Sequence, residues 1–187
     1  ASSVFGLQIA KRVGEDSFRR LKTGTEGAEW MPGQFGPDGD AGTIWRIDGV
    51  SGKVTKFATI GRDGVSNSGP GIGNITFAPD LDLLFASDLD TGLIHAIDLT
   101  GKVIAQFDHG TEGRPRANLT PVADDGRRAD ITSPQFDVED PETWGYTQPE
   151  RRIWGLAFRD GRLYYAIWAN SEIWSISISK DGSFGKD

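Results

Sequence analysis

The chain has 187 residues, 37% of them hydrophobic and 25% charged, a balance that suits a folded globular domain and excludes a disordered chain. Its formal charge is −7 with Lys and Arg scattered, so the basic face that a nucleic-acid binder needs is missing and no nucleic-acid partner is expected. It holds no cysteine, which excludes disulfides, thiolate metal sites and cysteine nucleophiles, and no apolar run approaches the roughly 18–20 residues of a membrane span.

In chain order, the first segment, 1–22, carries two weak strand patterns, Ser3–Ile9 and Ser17–Leu21. A Gly/Pro-rich stretch follows, from Trp30 to Gly42, holding the sole methionine, Met31, and the acid pair Asp38/Asp40. It reads either as a ligand-facing loop or as a turn cluster whose aromatics plug a gap. The next piece, 41–60, is a hairpin: Thr43–Asp48, a Ser51-Gly52 turn, then Lys53–Phe57.

The clearest unit spans 71–107. Four short runs (Ile72–Phe77, Asp82–Ser87, Leu93–Asp98, Lys102–Phe107) alternate in polarity and are separated by Pro79-Asp80, Asp90-Thr91-Gly92 and Thr100-Gly101. That is the pattern of a four-stranded antiparallel meander. The grammar returns over 151–187, where Ile153–Phe158, Leu163–Ala166 and Glu172–Ser177 match the first three runs and Asp181-Gly182 turns into a fourth. Phe77 aligns with Phe158 and Ile94 with Ile173, and the hairpin at 41–60 shares an Ile-x-x-Ile-Asp, Gly-Lys-Val core with Leu93–Phe107. No window sustains helical periodicity free of Gly or Pro. A four-stranded sheet that is apolar on both faces needs a neighbour on each side, and radial stacking supplies them.

Between the two clear units lies a long connection, 108–150. Loops of this length are functional or disordered more often than structural, and the aromatics Phe136, Trp144 and Tyr146 argue against disorder. The candidate binding residues are therefore Trp144, Tyr146, Arg114 and Arg116 in this loop, Arg151 and Arg152 at its end, Trp30 in the Gly/Pro-rich stretch, and Asn74 on the first run of the clear unit. The other reading of the loop is a flap packed on a neighbouring unit. Acid pairs at Asp38/Asp40, Asp80/Asp82, Asp88/Asp90 and Asp124/Asp125 raise calcium as a cofactor, with Asp38, Asp40, Asp88 and Asp90 as ligands. Asp also caps turns through its own backbone, which accounts for the same pairs without a metal. Of the two histidines, His95 lies inside a strand run and His109 opens the long loop; no Gly-x-Ser-x-Gly elbow anchors a hydrolase triad.

The runs Asn74-Ile75-Thr76-Phe77-Ala78-Pro79-Asp80, Leu84-Phe85-Ala86-Ser87-Asp88 and Gly92-Leu93-Ile94-His95-Ala96-Ile97-Asp98 resemble β-propellers of the NHL-repeat and gluconolactonase-like type. The resemblance covers 71–107 and 152–184 well and 41–57 in part. It implies an all-β fold: a single β-propeller segment over 1–187 with about three to four blades of four-stranded antiparallel sheets, incomplete at both ends. The ring would be completed by remaining propeller blades or by other copies of the chain. It implies a non-catalytic binding or scaffold segment of a larger extracytoplasmic protein (secreted, periplasmic or cell surface) that holds a protein or glycan partner through loops on the channel face. The alternative it implies is a divalent-metal-dependent lactonase or hydrolase. The gluconolactonase-like motif sets an Asn or Asp just before the Gly of an inner strand. The matching positions here are Gly73 before Asn74 and Trp154 before Gly155, and neither supplies a side-chain oxygen.

Overall fold

The computed structural model describes residues 10–14, 17–20, 26–27, 42–62, 65–67, 71–109, 111, 119–122, 130–137, 140–143, 147–167, 169 and 171–186. Over these the protein is all-β. Two hairpins come first, β1 (Ala10–Gly14) with β2 (Ser17–Arg20) and β3 (Thr43–Ile47) with β4 (Val54–Thr59), then a very short one, β5 (Gly61–Arg62) with β6 (Val65–Ser66). A four-stranded sheet follows, made of β7 (Ile72–Ala78), β8 (Leu83–Asp88), β9 (Leu93–Asp98) and β10 (Val103–Asp108) in the order β10-β9-β8-β7. The last sheet has three strands, β11 (Ile153–Arg159), β12 (Arg162–Ile167) and β13 (Glu172–Ser177). All pairings are antiparallel. The helical pieces among the described residues are single 3₁₀ turns at Pro141–Thr143 and Pro149–Arg151, and no helix there is long and apolar enough to cross a membrane.

The strands expected over 71–107 and 151–187 are present within a residue of their predicted bounds. The expectation of four strands in every unit is met by one sheet. Over 151–187 the chain forms three strands and an isolated bridge, Ile178 to Phe184, where a fourth begins. The unit at 41–60 has two strands. The strand placed at Ser3–Ile9 falls on residues outside the described set, and the first described strand starts at Ala10.

Alternation decides how the sheets meet. Successive strand residues point to opposite faces. The rear face of the four-stranded sheet sets Ile72, Ala86 and Ile97 against Ile44, Ala58 and Ile60 of the β3–β4 hairpin and the residue after it. The forward face sets Ala78, Leu83, Phe85, Ile94, Ala96 and Phe107 against Ile153, Leu163, Tyr165, Ile167 and Ile176 of the last sheet. Covered on both sides, β8 and β9 are buried almost throughout. The last sheet turns the same side backwards: Phe77 sits opposite Leu84 on one rear face, and Phe158 opposite Leu163 on the other. Three sheets therefore stack in chain order, each with its rear towards its predecessor.

Bulges hold this arrangement together. In β7 one extra residue between Ile72 and Ile75 keeps both on the rear face, and in β11 Trp154 is the extra residue between Ile153 and Gly155. The two bulges adjoin, with Asn74 Nδ2 donating to the Trp154 carbonyl at 3.5 Å. A Cβ on Gly73 would run into the Ile153 carbonyl and lie 2.7 Å from Ser87 Oγ, so the close approach of β7 and β11 requires glycine.

The turns repeat as the strands do. Asp48 Oδ1 accepts from Val50 N, Ser51 N and Ser51 Oγ, and Asp98 Oδ1 accepts from Thr100 N, Thr100 Oγ1 and Lys102 N. This explains the Asp in the shared Ile-x-x-Ile-Asp core. The bond from Ser51 N holds the Asp48 carboxyl below its ordinary value of 3.8, and the Thr100 hydroxyl does the same for Asp98. Hydroxyl bonds from Thr132 and Ser183 likewise lower Asp130 and Asp181. A depressed folded-state value means stability that is present above 3.8 and lost as pH falls through the folded value. The melting temperature is expected to hold from about pH 6 to about pH 4 and to fall below that, with Asp98→Asn flattening the acid limb. An unchanged acid limb in that variant would contradict the capping role.

Candidate functional site

Two sets of polar side chains meet where β8 ends, β9 begins and the long connection leaves β10 and enters β11. The first set crosses the four-stranded sheet. Asn67, just after β6, donates its Nδ2 to Asp88 Oδ1 at 2.9 Å. Asp88 Oδ2 faces His95 Nε2 at 3.6 Å, and both side chains are fully buried. On its other side His95 Nδ1 meets Gln106 Nε2 at 3.3 Å. Asp88 Oδ1 also takes the backbone N–H groups of Asp90 and Thr91, which closes the β8–β9 turn.

The second set clamps the connection. Arg151 and Arg152 are only 3% and 1% exposed. Arg151 Nη1 pairs with Asp108 Oδ1 at the end of β10 and reaches the His109 carbonyl at 3.4 Å. Asp108 Oδ2 accepts from Val122 N at 2.9 Å. Arg152 Nη2 donates to the Thr147 carbonyl at 2.8 Å. Gly92, at φ +75°, lets the β8–β9 turn lie against this clamp; a Cβ there would sit 2.7 Å from Arg151 Cβ. His109 Nδ1 meets Tyr165 Oη at 2.9 Å, and the imidazole stands edge-on to the Tyr165 and Trp174 rings at 5.3 and 5.0 Å. Within the connection, Ile131 and Phe136 are buried.

No family model, no curated protein and no solved structure matches this chain.

Of the candidate binding residues, Trp30, Arg114, Arg116, Trp144 and Tyr146 lie outside the described residues. Arg151 and Arg152 are brought together, but as buried anchors, so their substitution bears first on folding. Asn74 is half-buried at the join between β7 and β11. Of the candidate calcium ligands, Asp38 and Asp40 lie outside the described residues, while Asp88 and Asp90 are buried in the β8–β9 turn. Asp88 Oδ1 is spent on N–H donors there, which is the turn-capping role. Among the described residues no group of three or more His, Asp or Glu side chains is placed to hold an ion. The anchors Asp108 and Thr147 were not singled out from the sequence. The available signal was an Asp closing the last strand of one unit and a basic pair opening the first strand of the next.

Proposed function

We propose that the chain is a β-propeller segment of an extracytoplasmic protein and acts as a non-catalytic scaffold. It binds a protein or glycan partner at the edge shared by the β8–β9 turn and the 109–152 connection. One observation carries this reading: the connection is fastened to the sheets near both of its ends, through His109 on Tyr165 of β12 and through Arg151 on Asp108 of β10. Fastening of this kind holds the described parts of the connection beside the sheets, and loops carried on a scaffold bear function more often than core positions do. The like-facing stack of sheets supports the propeller reading, since radial repetition needs every unit to turn the same side to its predecessor. The chemistry at the edge favours binding over catalysis, because Asp88 and His95 are sealed from solvent and Arg151 and Asp108 neutralise each other.

The test is a glycan array and a displayed peptide library, each probed with the chain and with a variant whose residues 112–129 are replaced by Gly and Ser at equal length. Hits lost by the variant, with its melting temperature kept, are the expected result. Hits shared equally by both proteins, or none for either, would overturn the reading.

A further inference from the structure

Among the described residues, matched positions show which faces of the stack are exposed. Ile94 and Ile97 of β9 lie opposite Ser87 and Leu84 of β8, as Ile173 and Ile176 of β13 lie opposite Ala166 and Leu163 of β12. Against the following strand, Ile94 and Ile97 lie opposite Phe107 and Val103, as Ile44 and Ile47 of β3 lie opposite Ala58 and Val54 of β4. Ile44, Ile94 and Ile173 are thus one forward-facing position in three sheets, and Ile47, Ile97 and Ile176 one rear-facing position. Inside the stack a forward residue shares a cluster with the rear residue of the next sheet: Ile44 with Ile97, and Ile94 with Ile176. The members left over are Ile173 at the front, 79% exposed, and Ile47 at the back, 68% exposed, whereas Ile94 and Ile97 are 0% exposed. Tyr164 extends the exposed front and Val54 the exposed back.

We infer that the forward face of the β11–β13 sheet docks on the rear face of the β3–β4 hairpin of a second copy of this chain. The contact continues the internal sheet-on-sheet interface, bringing Ile173 of one copy to Ile47 of the next as Ile94 meets Ile176 within one. It is head-to-tail, with different patches meeting, so one copy can bind at each end. The inference rests on the stacking order of the sheets and not on the partner-binding edge. A failure here therefore leaves the glycan and peptide test standing.

Light scattering over about 1 µM to about 1 mM chain reads the association. The wild-type mass is expected to rise with concentration above the 20.3 kDa of one chain. Ile173→Asp and Ile47→Asp, each alone, are expected to stay at one chain, since each has lost one of the two faces. Mixed at equal amounts they are expected to form a one-to-one dimer, because one variant keeps its front and the other its back. A wild type that stays at one chain throughout overturns the proposal. So does an Ile47→Asp variant that associates alone, which would mean front against front. If either aspartate variant fails to fold, Ile173→Cys and Ile47→Cys give a second measurement in a chain that has no cysteine of its own. Oxidising their mixture should give mainly the mixed cross-link, and a predominance of self-cross-links overturns the proposal.

Discussion

Arg151→Ala is expected to cost about 3–5 kcal/mol of unfolding free energy, because it leaves a buried carboxylate without its counter-charge. Asp108 is buried at the end of β10 and pairs with Arg151 across 43 residues of sequence. Removing the guanidinium strands the carboxylate where water does not reach it freely. Asp108 keeps one bond, from Val122 N, which offsets part of that cost. Asp108→Ala is expected to be of similar size, since it strands the arginine in turn. The double variant Arg151→Met, Asp108→Leu separates the two causes. An apolar replacement for a buried pair is commonly near neutral, so it should be more stable than either single variant. Urea denaturation of the four proteins reads this directly. A single-variant cost below about 1 kcal/mol would place the pair among solvated surface contacts and remove the clamp.

How much of this was legible in the sequence depends on how local the cause is. The strands at 72–78, 83–88 and 93–98 were legible because alternation and turn residues act over a few positions, and so did the matching of Phe77 to Phe158 and Ile94 to Ile173. The bulges at Asn74 and Trp154 were not, because an extra residue changes pairing without changing composition. They matter, since a bulge decides which face Ile72 and Ile75 share. The β5–β6 hairpin escaped because strands of two residues carry no periodicity. Arg151 and Arg152 were read as partner-binding from their place at the end of the long loop, and their burial was not legible because arginine is seldom fully buried. What buries them is Asp108 and the Thr147 carbonyl, and the first of these lies far away in sequence. His95 shows the same limit in reverse. Its place on β9 was legible, but its facing Asp88 follows from the two strands folding back across the Leu89–Gly92 turn.

Phe85→Ala is expected to cost about 3–5 kcal/mol, the range for deleting a large buried ring. Phe85 is fully buried on β8, stacked on Phe158 of the last sheet at 6.0 Å and edge-on to Phe184 at 5.9 Å. Phe184 in turn stacks on Phe107 at 5.2 Å, and Phe107 meets Tyr165 at 6.0 Å, so the rings form a ladder shared by two sheets. Neither sheet owns this core: Phe85 and Phe107 come from one, and Phe158 and Tyr165 from the other. Losing one rung should therefore weaken both sheets together and leave a single transition. Phe77→Ala is the control, since Phe77 is 46% exposed on the rear face of the same sheet and should cost far less, about 1 kcal/mol. With Trp30, Trp45, Trp144 and Trp168 replaced by Phe, fluorescence of Trp154 and Trp174 follows the last sheet, and far-UV circular dichroism follows all strands. Coincident midpoints in the Phe85→Ala protein support one shared core. Two separated midpoints would mean that each sheet stands on its own packing, and the face-to-face stack would then hold the molecule together far less than its geometry implies.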